Sequence, residues 1–129
     1  MEYLYYFTNA SLTLRLIEYL NQNSQLPLGY VTVIHRFDAW VVKVRIKLLP
    51  DSPPERDFRA FLNELGIPYA PPAQVKLAIQ SLELGENILK VMHRYQVVVV
   101  SHGKPDLEEV QAFRQRFIRG LGYCPHHLV

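Results

Sequence analysis

The chain has 129 residues, 49% of them hydrophobic and 20% charged, with a formal net charge of +2. These values are typical of one globular domain and exclude wholesale disorder. We therefore treat 1–129 as a single domain and 121–129 as a C-terminal tail. The net charge is too small to require a nucleic-acid partner. The single cysteine excludes an internal disulfide and indicates a reducing compartment, so we expect a cytoplasmic protein.

No membrane association is predicted from the sequence. The opening segment, MEYLYYFTNASL, lacks a basic region followed by a long apolar run, so no signal peptide is expected. Apolar stretches also stay shorter than the roughly 18–20 residues that span a bilayer.

The first half of the chain predicts a strand, a helix and a hairpin. YLYYF at 3–7 is aromatic and strand-like, and LTLRLIEYL has apolar residues at helical spacing. In AWVVKVRIK, residues 39–47, apolar and basic side chains alternate, which is the period of a strand. A short turn joins this strand to YVTVIHRF, and an even-numbered loop would put Val31, Val33 and His35 on the face of Trp40.

The second half predicts helices around one more strand. Ser52, Pro53 and Glu55 form a helix start with a capping box, and Gly66 ends that helix. A helical pattern over 73–93 is divided at Gly85. YQVVVVS at 95–101 reads as a strand buried on both faces, and a final amphipathic helix follows Asp106.

This order predicts an α+β fold with a ferredoxin-like β-α-β-β-α(α)-β core and an additional C-terminal helix. Helices would cover the Trp40 face of the sheet and leave the other face open. Tyr3, Tyr5 and Phe7 are expected to look outward on that open face. The proposed partner-binding residues on it are Tyr30, Thr32, Arg36, Lys43, Arg45 and Lys47.

Two binding functions fit an exposed basic and aromatic sheet face. One is a small non-catalytic adaptor or regulatory protein that binds an acidic protein partner and forms a homo-oligomer. The alternative is single-stranded RNA binding, with rings stacking on bases and cations meeting phosphates. LYYFTN in the first strand resembles the RNP2 motif of RNA-recognition domains, whereas AWVVKVRI lacks the RNP1 pattern.

Enzyme and metal sites are disfavoured, and no cofactor is predicted. Cys124, His126 and His127 supply at most half of a zinc ligand set. Cys124 follows a helix C-terminus, where the helix dipole opposes a thiolate, so a Cys–His nucleophile is also disfavoured. We expect Cys124 to be half-buried by Leu121 and Tyr123, in a tail that is an extension or a docking strip.

The segment VVVVSHGKPD has a strand, a Gly-containing loop and a helix start in succession, an order that can hold a phosphate with Lys104 in reach. Its single glycine matches neither dinucleotide nor P-loop patterns, so a plain strand-to-helix turn is favoured. Ser101 and His102 are adjacent on a strand and are expected to point to opposite faces.

Overall fold

The structure is a computed structural model that describes residues 1–23 and 25–129. In this part of the chain, one antiparallel sheet lies between helices. The strands are β1 (Glu2–Phe7), β2 (Leu28–Arg36), β3 (Ala39–Ile46), β4 (Ile67–Pro68) and β5 (Val98–Gly103). The helices are α1 (Ala10–Gln22), α2 (Pro53–Leu65), α3 (Ala73–Glu83), α4 (Ile88–Tyr95) and α5 (Leu107–Leu121), and a 3-10 turn covers His126–Leu128.

The β2–β3 hairpin has the register that the sequence predicted. His35 lies opposite Trp40, and Arg36 lies opposite Ala39, so Phe37 and Asp38 form a two-residue loop. Phe37 adopts a positive φ of 57° in that loop, although no glycine is present. Directly opposed residues share a face of the sheet, which puts His35 on the Trp40 face.

The α+β class is confirmed, but the ferredoxin-like strand order is not. The sheet order is β4-β1-β3-β2-β5, with antiparallel neighbours throughout. β3 lies between the parallel strands β1 and β2, as in a split β-α-β unit. The last long strand, however, pairs with β2, whereas the ferredoxin-like plan would place it beside β1. The two-residue strand β4 occupies the β1 edge instead.

Helices cover both faces of the sheet. On the Trp40 face, α1, α2 and α5 contribute Leu16, Phe58 and Val110 to one buried cluster. On the opposite face, α3 and α4 contribute Val75 and Val91 to a second cluster. The architecture is therefore three-layered, and the predicted open face is wrong.

Local sequence signals place the helix ends. The Ser52 hydroxyl accepts a hydrogen bond from the Glu55 backbone N–H at the start of α2. The Glu55 carboxylate reaches one residue further back than a capping box requires, to the backbone N–H of Asp51 at 3.0 Å. Gly85, with φ of 83°, separates α3 from α4 as expected.

β5 begins three residues later than predicted, because α4 extends through Tyr95. Val100 packs into the cluster on the Trp40 face, and Val99 packs into the cluster on the other. The prediction that this strand is buried on both faces is thus confirmed.

Candidate functional site

The predicted contact face lies largely beneath α3. Thr32 is buried, and its hydroxyl oxygen lies 2.7 Å from Nδ1 of His102 on β5. Lys43 has a side chain only 15% exposed and places Nζ 2.5 Å from Oε1 of Glu83, the last residue of α3. Lys43 thus ties α3 to the sheet and Thr32 is bonded within the sheet, so the prediction that these two side chains lie on an open surface is wrong.

Tyr30 belongs to the same half-buried polar group. Its hydroxyl donates to the Glu83 carboxylate. Burial raises the pKa of Glu83, but the hydrogen bonds from Lys43 and Tyr30 outweigh it and hold that pKa below its usual range. For Tyr30, burial and then the bond to Glu83 raise the pKa. The group is a satisfied structural network in which the cation is already paired.

The remaining predicted contact residues lie at the margins of the predicted contact face. Arg45 is 50% exposed and pairs with the Glu2 carboxylate, while its guanidinium lies 5.1 Å from the Tyr30 ring centroid. Arg36 is half-buried and donates to Oε1 of Gln74 at 3.0 Å. Lys47 is exposed. The six residues therefore do not form one accessible surface.

The aromatic residues of β1 lie on the other side of the sheet from that expected. Phe7 is opposite Trp40, and Tyr5 is opposite Val42, so both share the Trp40 face. Tyr3, Tyr5 and Phe7 are all buried in the cluster under α1 and α2. Tyr3 also donates to the buried Glu55 carboxylate at 2.6 Å. These rings are core residues and are not accessible to stack on bases.

The C-terminal tail docks onto the fold. Trp40 donates its indole N–H to the His127 carbonyl oxygen at 2.8 Å, and Leu128 is fully buried. The His127 ring stacks on His35, with centroids 5.2 Å apart. The tail prediction was open between an extension and a docking strip, and these contacts favour the docking strip.

Cys124 and the histidines are not brought together as a site. Cys124 is exposed, as are Leu121 and Tyr123, so the expected half-burial of the thiol is wrong. The chain turns outward after α5 at Gly122, whose φ is 80°, before the tail returns at His126. Across 1–23 and 25–129, no three His, Cys, Asp or Glu side chains cluster in a way that could hold a metal ion.

The β5–α5 connection is a plain strand-to-helix turn. Gly103 has a φ of 119°, a value that side-chain-bearing residues rarely adopt. Asp106 caps α5 by accepting from the Glu109 backbone N–H at 3.1 Å, so a carboxylate already occupies the helix start. Ser101 pairs with Val33 and His102 with Thr32, which puts the two neighbours on opposite faces.

The two edges of the sheet differ strongly. β4 is a two-residue edge that includes Pro68, which lacks a backbone N–H. β5 is a six-residue edge, VVVSHG, without Pro, Lys, Arg, Asp or Glu, the residues with which proteins usually protect an edge. Its first residue, Val98, is 39% exposed. A free edge of this kind can accept another strand.

A groove opens beside this edge, between β5 and α5. Its volume is about 330 Å³. Val99 and Val100 line it from the strand. A bulge lies here, since Val33 pairs with Ser101 and Ile34 with Val99, which leaves Val100 without a partner on β2.

The α5 wall of the groove is a stripe of four residues at helical spacing: Glu109, Ala112, Phe113 and Arg116. Asp106 and Glu108 add acidic side chains at the helix start. Burial and the neighbouring Asp106 carboxylate raise the pKa of Glu109, so negative charge is crowded at this end. The groove is therefore acidic at one end, apolar in the middle and cationic at the other.

Sequence reasoning missed this groove because nothing in VVVVS distinguishes an edge strand from a central one. A second cleft of about 450 Å³ lies between β1 and α3, with Leu4 and Lys43 in its floor. Of the two lysines that line it, Lys43 is paired with Glu83 and lies 3.5 Å from Glu2, and Lys76 is exposed. The β5–α5 groove is the better candidate because it adjoins unpaired strand backbone.

Comparisons with known proteins add information on the fold. No protein-family model matches the sequence, and no curated protein matches it. The crystal structure of the C-terminal domain of YpbH is similar, with a TM-score of 0.51 and 17% sequence identity. The match covers 87% of this chain and 97% of that one. At this identity the likeness concerns the fold alone.

Among the residues described, none of the helices is both long and apolar enough to cross a membrane.

Proposed function

We propose that this protein is a small non-catalytic adaptor or regulatory protein that binds a protein partner by adding a strand at β5. The observation that carries the proposal is the edge strand β5, which has no charged residue and no proline, beside an open groove. In strand addition, main-chain hydrogen bonds supply affinity, and a neighbouring groove selects alternate side chains of the partner. The same chain thus offers both parts of a recognition site.

The proposal replaces the sheet face as the contact surface. Lys43 and Tyr30 are engaged by Glu83, and Tyr3, Tyr5 and Phe7 are buried on the other face of the sheet. Of the predicted contact residues, only Arg45 and Lys47 at the margins are exposed. The backbone of β5, in contrast, has a paired side towards β2 and an outer side at the margin of the sheet.

The test compares two lysine substitutions in an affinity pull-down from the native host's extract, with and without RNase. Val98→Lys puts a charge at the edge strand, which natural proteins use to prevent strand pairing. Leu49→Lys is the matched control, because Leu49 is 77% exposed and lies in the β3–α2 connection. Both variants should keep the wild-type circular dichroism spectrum.

We expect a defined set of proteins that survives RNase, is retained by Leu49→Lys and is lost with Val98→Lys. Retention of that set by Val98→Lys would contradict binding at β5. Recovery that collapses under RNase would instead favour the RNA alternative.

Homo-oligomerisation, which the sequence analysis also predicted, can use the same edge by antiparallel pairing of two β5 strands. Sedimentation of the purified protein at increasing concentration separates this case from binding of a different protein. A dimer that Val98→Lys dissociates would assign the edge to a second copy.

A further inference from the structure

The groove beside β5 has a charge order along its length. The acidic side chains of Asp106, Glu108 and Glu109 lie at the start of α5, close in sequence to the end of β5 at Gly103. Arg116 lies at the other end, seven residues beyond Glu109. At 1.5 Å per helical residue, Glu109 and Arg116 are about 10 Å apart along the helix, and Asp106 and Arg116 about 15 Å.

An extended segment can match this spacing. Side chains on one face of a strand recur every second residue, at about 6.7 Å, so residues i and i+4 are about 13 Å apart. A cation at i and an anion at i+4 would therefore reach the two charged ends of the groove. The side chain at i+2 would lie over its apolar middle, at Ala112 and Phe113.

The order of charges along the segment depends on its direction of pairing and on the position of the acidic residues. They adjoin the C-terminal end of β5, and antiparallel pairing is the more common arrangement. In antiparallel pairing, the N-terminal end of the added segment meets the C-terminal end of β5. The cation of the partner must then precede its anion.

Resting on the proposed function, we infer that β5 takes an extended partner segment with the pattern (Lys/Arg)-x-apolar-x-(Asp/Glu), paired antiparallel. Its cation would meet the acidic end formed by Asp106, Glu108 and Glu109. Its apolar side chain would contact Phe113, and its acid would meet Arg116. Charge complementarity is what selects this occupant over a segment of uniform charge.

The test uses two nine-residue peptides of identical composition, Thr-Thr-Lys-Thr-Val-Thr-Glu-Thr-Thr and its charge-exchanged isomer Thr-Thr-Glu-Thr-Val-Thr-Lys-Thr-Thr. Each is titrated into the full-length protein and followed by NMR chemical shifts of the backbone amides. We expect the Lys-first peptide to shift β5 and α5 amides and to bind about 3- to 10-fold more tightly, since two exposed charge pairs differ between the peptides.

Two variants locate the effect. Arg116→Gln should reduce the preference between the isomers, because it removes the cation at one end of the groove. Val98→Lys should abolish the shifts on β5 for both peptides. Lys76→Gln, an exposed lysine on α3, is the control and should change neither result.

The outcomes distinguish failure of the inferred sequence pattern from failure of the proposed function. Equal binding of the two isomers at β5, or tighter binding of the Glu-first isomer, would overturn the inferred pattern while leaving strand addition intact. In protein that sedimentation shows to be monomeric, absence of any shift on β5 with either peptide would overturn strand addition and the inference together. A β5-mediated dimer that excludes both peptides would also overturn the inference, in favour of a second copy.

Discussion

At the scale of single residues, the buried imidazole of His35, which stacks on His127 of the C-terminal tail, should make stability depend on pH. His35 is 2% exposed, and its Nε2 has no hydrogen-bond partner in the described structure. Trp40, Phe113 and Phe117 surround its ring at centroid distances of 5.1–5.2 Å. Burial, and then the nearby His127, lower the pKa of His35 from 6.5 to about 4, although Asp38 acts in the opposite direction.

Stability should therefore fall as the pH is lowered. Between about pH 6.5 and 4, the unfolded chain binds a proton at His35 that the folded protein does not. The stabilisation is complete above pH 6.5 and declines by about 3 kcal/mol towards pH 4. Urea unfolding at pH 7.5, 6.0 and 5.0 measures this slope before most carboxylates titrate.

The matched variants are His35→Leu and His93→Gln. His35→Leu should flatten the slope, whereas His93→Gln should leave it unchanged because His93 is exposed. An unchanged slope in His35→Leu would assign the pH dependence to other groups.

Sequence reasoning reached part of this residue-scale picture. His35 was placed with Trp40 by alternation alone, since a two-residue loop fixes which side chains share a face. The stacking of His127 on His35 joins residues 92 positions apart in the chain, and no local pattern predicts such a contact.

At the scale of elements, Gly66 fixes how closely α2 approaches β1. It ends α2, donating to the Leu62 carbonyl oxygen at 3.0 Å, and its backbone is extended. Its φ therefore does not require glycine, but a Cβ here would overlap the Phe7 ring and the Tyr6 carbonyl oxygen. The sequence predicted a helix stop at Gly66 and could not reveal this packing contact.

Gly66→Ala should lower the free energy of unfolding by about 1–3 kcal/mol, as expected for overpacking in a dense core. Gly120→Ala is the matched control, because that glycine lies in the last turn of α5 with open space around it. The control should be neutral or stabilise by up to about 1 kcal/mol. Equal effects of the two substitutions in urea titrations would contradict the steric explanation.

The element that sequence reasoning misplaced most is the α3–α4 pair. Its helices were predicted correctly, but the face they cover was expected to be open. Two features of the sequence indicate that helices cover this face. Ile34 and Val41 are apolar residues in the middle of the supposedly open face, and VVVV in β5 requires apolar neighbours on both sides. The basic residues around that apolar centre suggested that the face is exposed to solvent. In the structure, Glu83 on α3 covers Lys43 and pairs with it.

At the scale of the whole molecule, the helices on the two faces of the sheet are not all equally buried. α1 buries five residues along its length, Ala10, Thr13, Leu16, Ile17 and Leu20. The α4 helix buries Val91 and leaves Leu89 largely exposed. Because local opening is governed by buried contacts, α4 should open more readily than α1.

Hydrogen exchange measured by mass spectrometry tests this expectation. Amides of α4 should exchange well before those of α1 under conditions where global unfolding is rare. Val91→Ala should increase exchange in α4 with little effect on α1. Matching protection of α1 and α4 would mean that both layers open as one cooperative unit.

The order of the strands in the sheet is a property of the whole molecule, and local sequence patterns could not predict it. The alternation of apolar residues in β1 and in β2 is compatible with either strand as the neighbour of β5. The choice depends on the long path through α2, β4, α3 and α4, which no short-range signal determines.

The contact between Trp40 and the tail gives the molecule an intrinsic optical reporter. Trp40 is the sole tryptophan in the chain, is fully buried, and binds the carbonyl of a residue 87 positions away. Its emission therefore comes from one environment, in which the imidazole of His35 is an edge-on neighbour. A solvent-shifted spectrum would signal that the C-terminal segment has lifted from the hairpin, without any added label.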